Sequence, residues 1–274
     1  MLKNQVEKPI HRGAIRKKVG TEFFILKRKL YWILNRSKYA RQGTSGTSRD
    51  AFTLITHKSM LLRPLKDVDM YLQHNKITNL RLAIEKLNGT IIKPGKTFSI
   101  WKQVGRPSKR KGYLEGLVLH NGQILKGTGG GLCQLGNLLF WMALHTDLEV
   151  TERWRHSFDV FPDINRKIPF GCGATLSYNY IDLQLRNNTD KTFELLLWLD
   201  DEYLNGKIVC DKDIAYTFKV IETDHMIKQQ WWGGYTRHNR IWKHKLDADN
   251  NLISKELVAE NHAVMMYNPL LTSN

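Results

Sequence analysis

The stretch Leu135–His145 constrains the fold most strongly, because its residues are apolar almost all round a helix. A helix without a polar face is stable only when it is buried on every side. It follows the glycine-rich residues Gly127–Gln134, and from Leu148 onward apolar residues alternate, which is typical of a strand. The sequence therefore predicts a helix at the centre of a domain, with a strand after it.

The remaining patterns predict mainly antiparallel strands. Asn121-Gly122 lies between two short apolar runs, which favours a β-hairpin. Residues 174–210 are predicted to form a meander whose last turn is Asn205-Gly206. The other predicted elements are a helix over residues 78–88 and strands over 97–101, 235–246 and 254–267. Together they predict an α+β fold, in which a buried central helix packs on antiparallel sheet after a basic helical N-terminal extension.

The positive charge of the chain is concentrated at its N-terminal end. Residues 1–50 hold 13 basic and three acidic side chains, whereas the other 224 residues hold 29 and 23. Helical spacing here predicts an apolar stripe ringed by cations; the stripe is Phe23, Leu26, Leu30, Ile33 and Leu34, and the cations are Lys27, Arg28, Lys29, Arg36 and Lys38.

Two interpretations of this basic stretch stay open. Residues 20–40 could form a helix on an anionic membrane surface, with Trp32 among the lipid headgroups. Alternatively, the helix could pack on the main domain and keep its cations in solvent.

The length and composition fit a folded protein with a sizeable core. The chain has 274 residues, of which 42% are hydrophobic, so it is neither disordered nor a small disulfide scaffold. We expect three parts: a basic extension over residues 1–50, a core domain over 51–214, and a β-rich part over 215–274 that packs on the core.

Several partners and locations are disfavoured by the sequence. No nucleic-acid-binding motif accompanies the charge, so nucleic acid is not an expected partner. The candidate ligands Cys133, His156, Cys172 and Cys210 lack the paired spacing of a zinc site, and we expect neither metal nor cofactor. The longest apolar run, Leu138 to Leu144, is too short to span a membrane, and no signal peptide is visible. These features predict a cytoplasmic protein, with peripheral membrane attachment as the alternative.

Cys133 is the strongest candidate for a chemically active residue. Gly129, Gly130 and Gly131 precede it at the start of the predicted buried helix, where free backbone N–H groups can bind an anion or oxyanion. The same helix end favours the thiolate form of a cysteine. Gln134 is a further candidate oxyanion donor or part of the helix cap.

His156 and Asp182 complete a candidate catalytic triad with Cys133. His156 lies on the next predicted strand and could act as the base, while Asp182, or less favourably Asp159, could orient its ring. The order Cys, His, Asp is that of transglutaminase-like and papain-like folds, an analogy of layout only. In the structural alternative, the cysteine is a small hydrophobic residue, the glycines allow tight packing, and the histidine belongs to the core.

Trp231 and Trp232 form an aromatic cluster beside the turn residues Gly233-Gly234. Flat aromatic side chains of this kind could stack on sugar rings, so the pair is a candidate glycan contact. Ordinary packing within a hairpin is the alternative.

Several stretches of the chain resemble the VanW family. They are residues 91–105, 112–146, 153–162 and 173–190, with the motif GGGLCQ at 129–134 and the downstream Arg155-His156-Ser157 as the most specific parts. The resemblance is firm over about residues 70–210 and looser over 258–269, and residues 1–50 lie outside it. Carried over by position, the family's characteristic residues are Gly129, Gly130, Gly131, Cys133, Gln134, His156 and Asp182. The sequence departs from the family at Gly173, where the family tends to have Asp.

The resemblance implies an accessory protein of glycopeptide resistance or of cell-envelope peptidoglycan metabolism. Its site would centre on Cys133 and would act on, or bind, a peptidoglycan-type peptide or glycan. If it is an enzyme, the expected chemistry is cysteine-dependent acyl transfer or hydrolysis. The alternatives are a non-catalytic module that binds cell-wall fragments and a protein-interaction module localised by its basic helix.

Overall fold

The structure is a computed structural model that describes residues 13–43, 51–62, 69–120, 122–155, 157–161 and 168–270. The described residues contain four α-helices and two short 3-10 helices, Arg36–Lys38 and Lys109–Lys111. The α-helices are α1 (Ala14–Leu34), α2 (Met70–Leu87), α3 (Ile100–Val104) and α4 (Cys133–Ala143). With the strands below, they confirm the predicted α+β class.

The described strands are short in the first part of the chain and long near its end. In chain order they are β1 (Arg41–Gln42), β2 (Phe52–Met60), β3 (Thr90–Ile92), β4 (Thr97–Ser99), β5 (Glu115–His120), β6 (Gln123–Thr128), β7 (Glu149–Glu152), β8 (Phe158–Asp159), β9 (Gln184–Arg186), β10 (Phe193–Leu199), β11 (Tyr203–Cys210), β12 (Thr217–Gln229), β13 (Tyr235–Leu246) and β14 (Leu252–Met265).

These strands form four sheets within the described residues. The largest has the order β1-β3-β10-β11-β2, and a second has the order β12-β13-β14-β8. A three-stranded sheet has the order β4-β9-β7, and β5 pairs with β6 in a separate hairpin. The pairing is antiparallel except between β8 and β14, which run parallel. The predicted hairpin around residues 121–122 and the predicted strands near the C-terminal end are confirmed.

α4 lies in the core, as its all-round apolar sequence predicts. Leu135, Leu139 and Met142 are completely buried, and one face of the helix approaches β11 at Gly206. A Cβ atom at Gly206 would lie 2.6 Å from Met142 Cε and 2.7 Å from Leu138 Cδ2. The five-stranded sheet is therefore the antiparallel surface on which the central helix packs.

The predicted turn at Asn205-Gly206 is wrong, because both residues lie inside β11. The chain reverses earlier, where Asp200 Oδ1 accepts hydrogen bonds from the backbone N–H groups of Glu202 (2.9 Å) and Tyr203 (2.6 Å). The glycine is needed for the close approach of α4 and not for a turn.

The predicted meander over residues 174–210 is also divided between two sheets. β9 pairs with β4 and β7, whereas β10 pairs with β3 and β11. Asn187 holds the crossing point, since its side-chain amide donates to the carbonyls of Ile92 (2.9 Å) and Lys191 (2.6 Å). The predicted strand 97–101 ends at Ser99, whose hydroxyl accepts from the Lys102 N–H at 3.1 Å and caps α3.

α1 packs on the core through the side opposite to the predicted apolar stripe. Ile25 and Trp32 are 3% and 6% exposed, and Arg28 makes two hydrogen bonds to the Glu152 carboxylate at 2.6 and 2.9 Å. The prediction that Trp32 lies among lipid headgroups is therefore wrong, because its ring belongs to the core. The stripe residues Phe23, Leu26, Leu30, Ile33 and Leu34 are all exposed.

None of the helices in the described residues combines the length and the apolar character that crossing a bilayer requires. The division of the chain at residues 50/51 and 214/215 stays a prediction.

Candidate functional site

The glycine-rich link between β6 and α4 is held by its own backbone hydrogen bonds. The N–H of Gly129 donates to the Leu114 carbonyl at 2.9 Å, that of Gly130 to Gly127 at 3.0 Å, and that of Gly131 to Leu117 at 2.9 Å. Each of these N–H groups already has a backbone acceptor, so the oxyanion hole assigned to them stays a prediction.

Close packing explains why glycines occupy this link. Gly129 and Gly131 have φ angles of +78° and +91°, which favour glycine. A Cβ at Gly130 would lie 2.1 Å from the carbonyl carbon of Gly116 in β5. The structural alternative for Gly129–Gly131 accounts for all three positions.

The buried side-chain amide of Asn79 in α2 also holds the glycine-rich link. Its Nδ2 donates to the carbonyls of Gly130 (2.9 Å) and Leu114 (3.1 Å), and its Oδ1 accepts from the Leu114 N–H at 2.8 Å. Sequence reasoning missed this residue. The available signal was a polar side chain one turn before Ala83, on the apolar face of the predicted helix.

Gln134 connects α4 to β2. Its side-chain amide donates to the Ser59 hydroxyl at 2.9 Å and to the Met60 carbonyl at 2.8 Å. The proposed role of Gln134 as an oxyanion donor is not supported, because its N–H groups bind the sheet.

Cys133 is the first residue of α4 and is half-buried. Its Sγ lies 3.9 Å from the Leu176 carbonyl oxygen and donates to it. Burial raises the pKa of the Cys133 thiol, because loss of water penalises the thiolate more than local backbone hydrogen bonds favour it. The direction is opposite to the predicted stabilisation of a thiolate.

The segment that carries Leu176 packs along α4 and meets the chain near position 156. Ala174 N–H donates to Asn137 Oδ1 of α4 at 2.7 Å, and Thr175 N–H donates to the Trp154 carbonyl at 2.7 Å. Cys133, Asn137, Trp154 and the residues 174–176 thus form one surface, called here the Cys133 site.

His156 lies outside the described residues, and its distance from Cys133 stays a prediction. Its two neighbours in the chain are both tied to β14. Arg155 Nη2 donates to the His262 carbonyl at 2.9 Å, and the Ser157 carbonyl accepts from Val264 N–H at 3.1 Å.

Arg153 links α4 to the segment at Gly173 beside the Cys133 site, and sequence reasoning did not identify it. Its guanidinium lies 4.6 Å from the centre of the Phe140 ring of α4, and its Nε donates to the Gly173 carbonyl at 2.8 Å. A Cβ at Gly173 would lie 2.8 Å from Asn137 Oδ1. The aspartate that the family tends to have at this position would therefore crowd Asn137.

Asp182 is fully buried and has its own set of hydrogen-bond donors. Its Oδ2 accepts from the Ser99 hydroxyl at 2.6 Å, and its Oδ1 accepts from the N–H groups of Trp101 (3.2 Å) and Leu183 (2.9 Å). Burial raises the pKa of Asp182 to about 7. These contacts give the carboxyl group a structural task at the start of α3, and its role in a triad stays a prediction.

An ion pair beside Asp182 joins α1 to the three-stranded sheet. Glu152 Oε1 accepts from the Asp182 N–H at 3.1 Å, and its carboxylate also binds Arg28. Gln184 donates a further hydrogen bond to Glu152 at 2.9 Å. Nothing in the sequence pattern pairs Arg28 with Glu152, which lie 124 positions apart, so this cluster was not predicted.

Asp159, the less favoured orienter, lies in a different cluster. It is buried and accepts from the Tyr267 hydroxyl at 3.0 Å, and Arg237 Nη1 is 3.5 Å from its Oδ2.

Trp231 and Trp232 lie at the tip of the β12–β13 hairpin, closed by a hydrogen bond from Gln230 N–H to the Gly234 carbonyl (2.8 Å). Trp231 is 92% exposed and Trp232 is 49% exposed, with the two ring centres 5.6 Å apart in an edge-to-face arrangement. The aromatic surface is accessible to a ligand, and its use as a glycan contact remains a proposal.

No group of three or more His, Cys, Asp and Glu side chains in the described parts of the chain is arranged to hold a metal ion. The three cysteines are free thiols.

Comparison with known proteins places the site in a family. Residues 75–209 match the family model described as VanW like protein. This region of the chain belongs to the VanW family. The matched region contains Cys133, the glycine-rich link and Asp182.

Two curated relatives cover parts of the same region. The chain is 43% identical over 152 residues to the vancomycin B-type resistance protein VanW of Enterococcus faecalis (strain ATCC 700802 / V583), which is 56% of this chain and 55% of that protein. It is 28% identical over 109 residues to the uncharacterized protein YoaR of Bacillus subtilis (strain 168), which is 40% of this chain and 34% of that protein. The chain therefore spans little more than half the length of the first relative and about a third of the second. No solved structure matches the chain significantly.

Proposed function

We propose that this VanW-family chain serves glycopeptide resistance or peptidoglycan metabolism and uses the Cys133 site for a peptidoglycan-type peptide or glycan. The observation that carries the proposal is the match over residues 75–209, which includes the whole α4 side of the site. The relative named for vancomycin B-type resistance supplies the process in which the chain takes part.

Unsatisfied polar side chains, at Thr175 in the site and at Asn179 four positions later, support a polar ligand. The Thr175 hydroxyl and both side-chain polar atoms of Asn179 are buried and have no hydrogen-bond partner among the described residues. Such groups are uncommon in folded proteins and are normally satisfied by water or a ligand. The half-exposed ring of Trp154, on the same surface, adds an apolar contact.

In the catalytic form of the proposal, Cys133 Sγ attacks a carbonyl carbon of a wall peptide while His156 accepts the thiol proton. The C–N bond of the peptide then breaks, His156 passes the proton to the departing amine, and the acyl group stays on Cys133 as a thioester. Water or an acceptor amine attacks the thioester, which releases the acyl group and restores the thiol. Asp182 keeps its predicted role as the orienter of His156. Because burial raises the pKa of Cys133, the resting thiol is protonated. Activation then depends on substrate binding, which must bring a base to the sulfur or lower the pKa of the thiol.

A non-catalytic binding function is the second candidate, and two observations favour it. Burial disfavours the thiolate, and the amides of Gly129–Gly131 are occupied by backbone carbonyls. In this form the Cys133 site and the exposed Trp231 hold wall fragments without changing them.

The deciding experiment is incubation of purified muropeptides with the wild-type chain and two cysteine variants. Cys133→Ala removes the proposed nucleophile, and Cys210→Ala is the matched control, because that thiol is completely buried on β11. Mass spectrometry measures turnover and covalent adducts, and equilibrium dialysis measures binding.

We expect turnover or an adduct with the wild type and with Cys210→Ala, and neither with Cys133→Ala. Binding by all three proteins without turnover or adduct would select the non-catalytic form. If the wild-type chain neither binds nor alters any muropeptide, the proposed ligand class is wrong.

A further inference from the structure

The outward face of α1 carries an apolar surface that stays open to solvent. It consists of Ile15, Val19, Leu26, Leu30 and Ile33, which are between 56% and 83% exposed. Intervals of four, seven, four and three residues place them on one side of the helix. We call these five residues the outer stripe. Exposed apolar patches of this kind mark sites of interaction.

Cations line both edges of the outer stripe. Lys18 and Lys29, eleven residues apart, follow one edge, and Arg16 and Lys27, also eleven residues apart, follow the other. Arg36 lies just beyond the end of α1, in the 3-10 helix Arg36–Lys38. All five side chains are exposed. An apolar stripe between two rows of cations is the arrangement of helices that lie in a membrane interface.

The orientation of α1 is set by its contacts with the core. Arg28 binds Glu152, Trp32 is buried, and Lys102 Nζ donates to the Trp32 carbonyl at 3.3 Å. The helix therefore cannot turn the outer stripe inward without breaking these contacts. The stripe is presented outward in the folded chain.

We propose that the outer stripe docks the chain on an anionic lipid surface, with α1 parallel to the membrane plane. The five apolar side chains enter the boundary between headgroups and acyl chains, and the flanking cations contact lipid phosphates. Phe23 lies four residues after Val19 and three before Leu26, so it adjoins the outer stripe. Its ring is half-exposed and adds an aromatic contact at headgroup level.

Charge favours lipid over a second copy of the chain. Residues 13–43 contain nine basic residues and one acidic residue, Glu22. Arg106 already pairs with Glu22 at 2.9 Å. Two copies meeting through this face would oppose two rows of cations, whereas an anionic membrane would neutralise them.

The proposal is independent of what the Cys133 site binds, because the outer stripe and Cys133 share no residue. The outer stripe concerns the attachment of the chain to a surface, which can be tested without muropeptides.

The test is vesicle flotation with the full chain. Vesicles contain either phosphatidylcholine alone or phosphatidylcholine with about 30% phosphatidylglycerol, which gives a surface of strong negative potential. The first variant is Leu26→Glu with Ile33→Glu. Its matched control is Leu252→Glu with Ile253→Glu on β14, where the side chains are 52% and 54% exposed and the charge change is the same. A third protein, Lys18→Gln with Lys29→Gln, tests the cations.

We expect the wild type and the β14 control to bind the anionic vesicles, and binding to weaken as salt is added. The outer-stripe variant should bind at least about tenfold more weakly, since two apolar side chains no longer enter the lipid. Each lost lysine should weaken binding roughly fivefold. All four proteins should show the same far-UV circular dichroism, because the changed side chains are exposed.

Three outcomes would overturn the proposal. The first is no flotation of the wild type with anionic vesicles. The second is equal loss of binding in the outer-stripe variant and in the β14 control. The third is a concentration-dependent dimer that the outer-stripe variant dissociates, without any lipid binding, which would assign the surface to a second copy.

Discussion

Replacing Gly130 by alanine tests whether the glycine-rich link is a packing device. The added Cβ would lie 2.1 Å from Gly116 C, 2.3 Å from Gly116 O and 2.6 Å from Leu117 N. All three are backbone atoms, so no side chain can rotate away to make room. The link and β5 must separate by about 1 Å or more to reach ordinary contact distances.

The expected cost combines overlap with lost hydrogen bonds. Overpacking of a tight site costs roughly 1–3 kcal/mol. Separation also breaks the bond from Gly131 N–H to the Leu117 carbonyl and strains the bond from Asn79 to the Gly130 carbonyl, at roughly 1 kcal/mol each. The sum is about 3–5 kcal/mol, which corresponds to a fall in Tm of about 10 °C for a chain of this size.

Thermal unfolding followed by circular dichroism measures this effect, with Gly20→Ala as the matched control. A Cβ at Gly20 meets no atom within 4 Å, and the residue lies inside α1. Alanine is favoured over glycine in a helix by about 1 kcal/mol, so the control should melt at the wild-type temperature or slightly above it.

A melting temperature of Gly130→Ala within about 2 °C of the wild type would contradict the packing role of this glycine. If Gly130→Ala keeps the wild-type Tm but no longer binds muropeptides, the glycine allows the close approach of a ligand. A large fall in Tm together with unchanged binding below the melting temperature supports packing alone.

Three further predictions concern the surroundings of the site. Burial raises the pKa of Asp182 to about 7 in the folded chain, whereas an aspartate in the unfolded chain has a pKa of about 4. Both states carry the proton below about pH 4, and the unfolded state loses it first as the pH rises. The free energy of unfolding of the wild type therefore falls between about pH 4 and pH 7. Asp182→Asn keeps the shape without this titration, so its free energy of unfolding relative to wild type should rise between pH 5 and pH 8 in urea titrations; a constant difference contradicts the assignment. Arg28→Ala should lower Tm by several degrees, since the Arg28 and Glu152 side chains are only 20% and 18% exposed. Arg106→Ala breaks an exposed pair with Glu22 of the same helix α1 and should leave Tm unchanged; equal effects would show that burial does not decide the outcome. A fragment of residues 75–209 should aggregate and melt without cooperativity, because it lacks β1 and β2; a monomeric fragment in size-exclusion chromatography with a sharp transition would contradict this.

The parts of the fold that could be predicted are those with local signals. The apolar character of α4 on all sides requires burial, whatever the rest of the chain does. The predicted strand 235–246 coincides with β13, because alternation and flanking turn residues lie within the strand itself. In both cases the deciding residues are neighbours in sequence.

The roles of two glycines, Gly206 and Gly130, could not be decided from the sequence. The sequence pattern predicts a turn at Gly206 and an anion-binding role for Gly130. In the structure, each glycine instead allows the close approach of atoms from a residue far away in the sequence. For Gly206 the deciding atoms belong to Leu138 and Met142, and for Gly130 they belong to Gly116. A turn, a ligand site and a close contact all favour the same residue type.

The two faces of α1 show a similar limit. Helical spacing identifies the apolar stripe, and a stripe ordinarily faces the core. Here a second face, with Ile25, Arg28 and Trp32, makes the core contact, because Glu152 supplies a partner for Arg28. The position of Glu152 depends on how β7 pairs with β9, and the periodicity of apolar residues in α1 cannot predict it.

The folded unit around Cys133 extends beyond the region that defines the family. The match ends at residues 75 and 209, but β1 and β2 form the two edges of the sheet on which α4 packs. Gln134, next to Cys133, binds β2 directly, and α1 reaches Glu152 beside Asp182. The residues that shape the site are therefore shared with segments outside the matched region. It follows that the Cys133 site must be assayed in the full chain, where β2 and α1 support the residues around it.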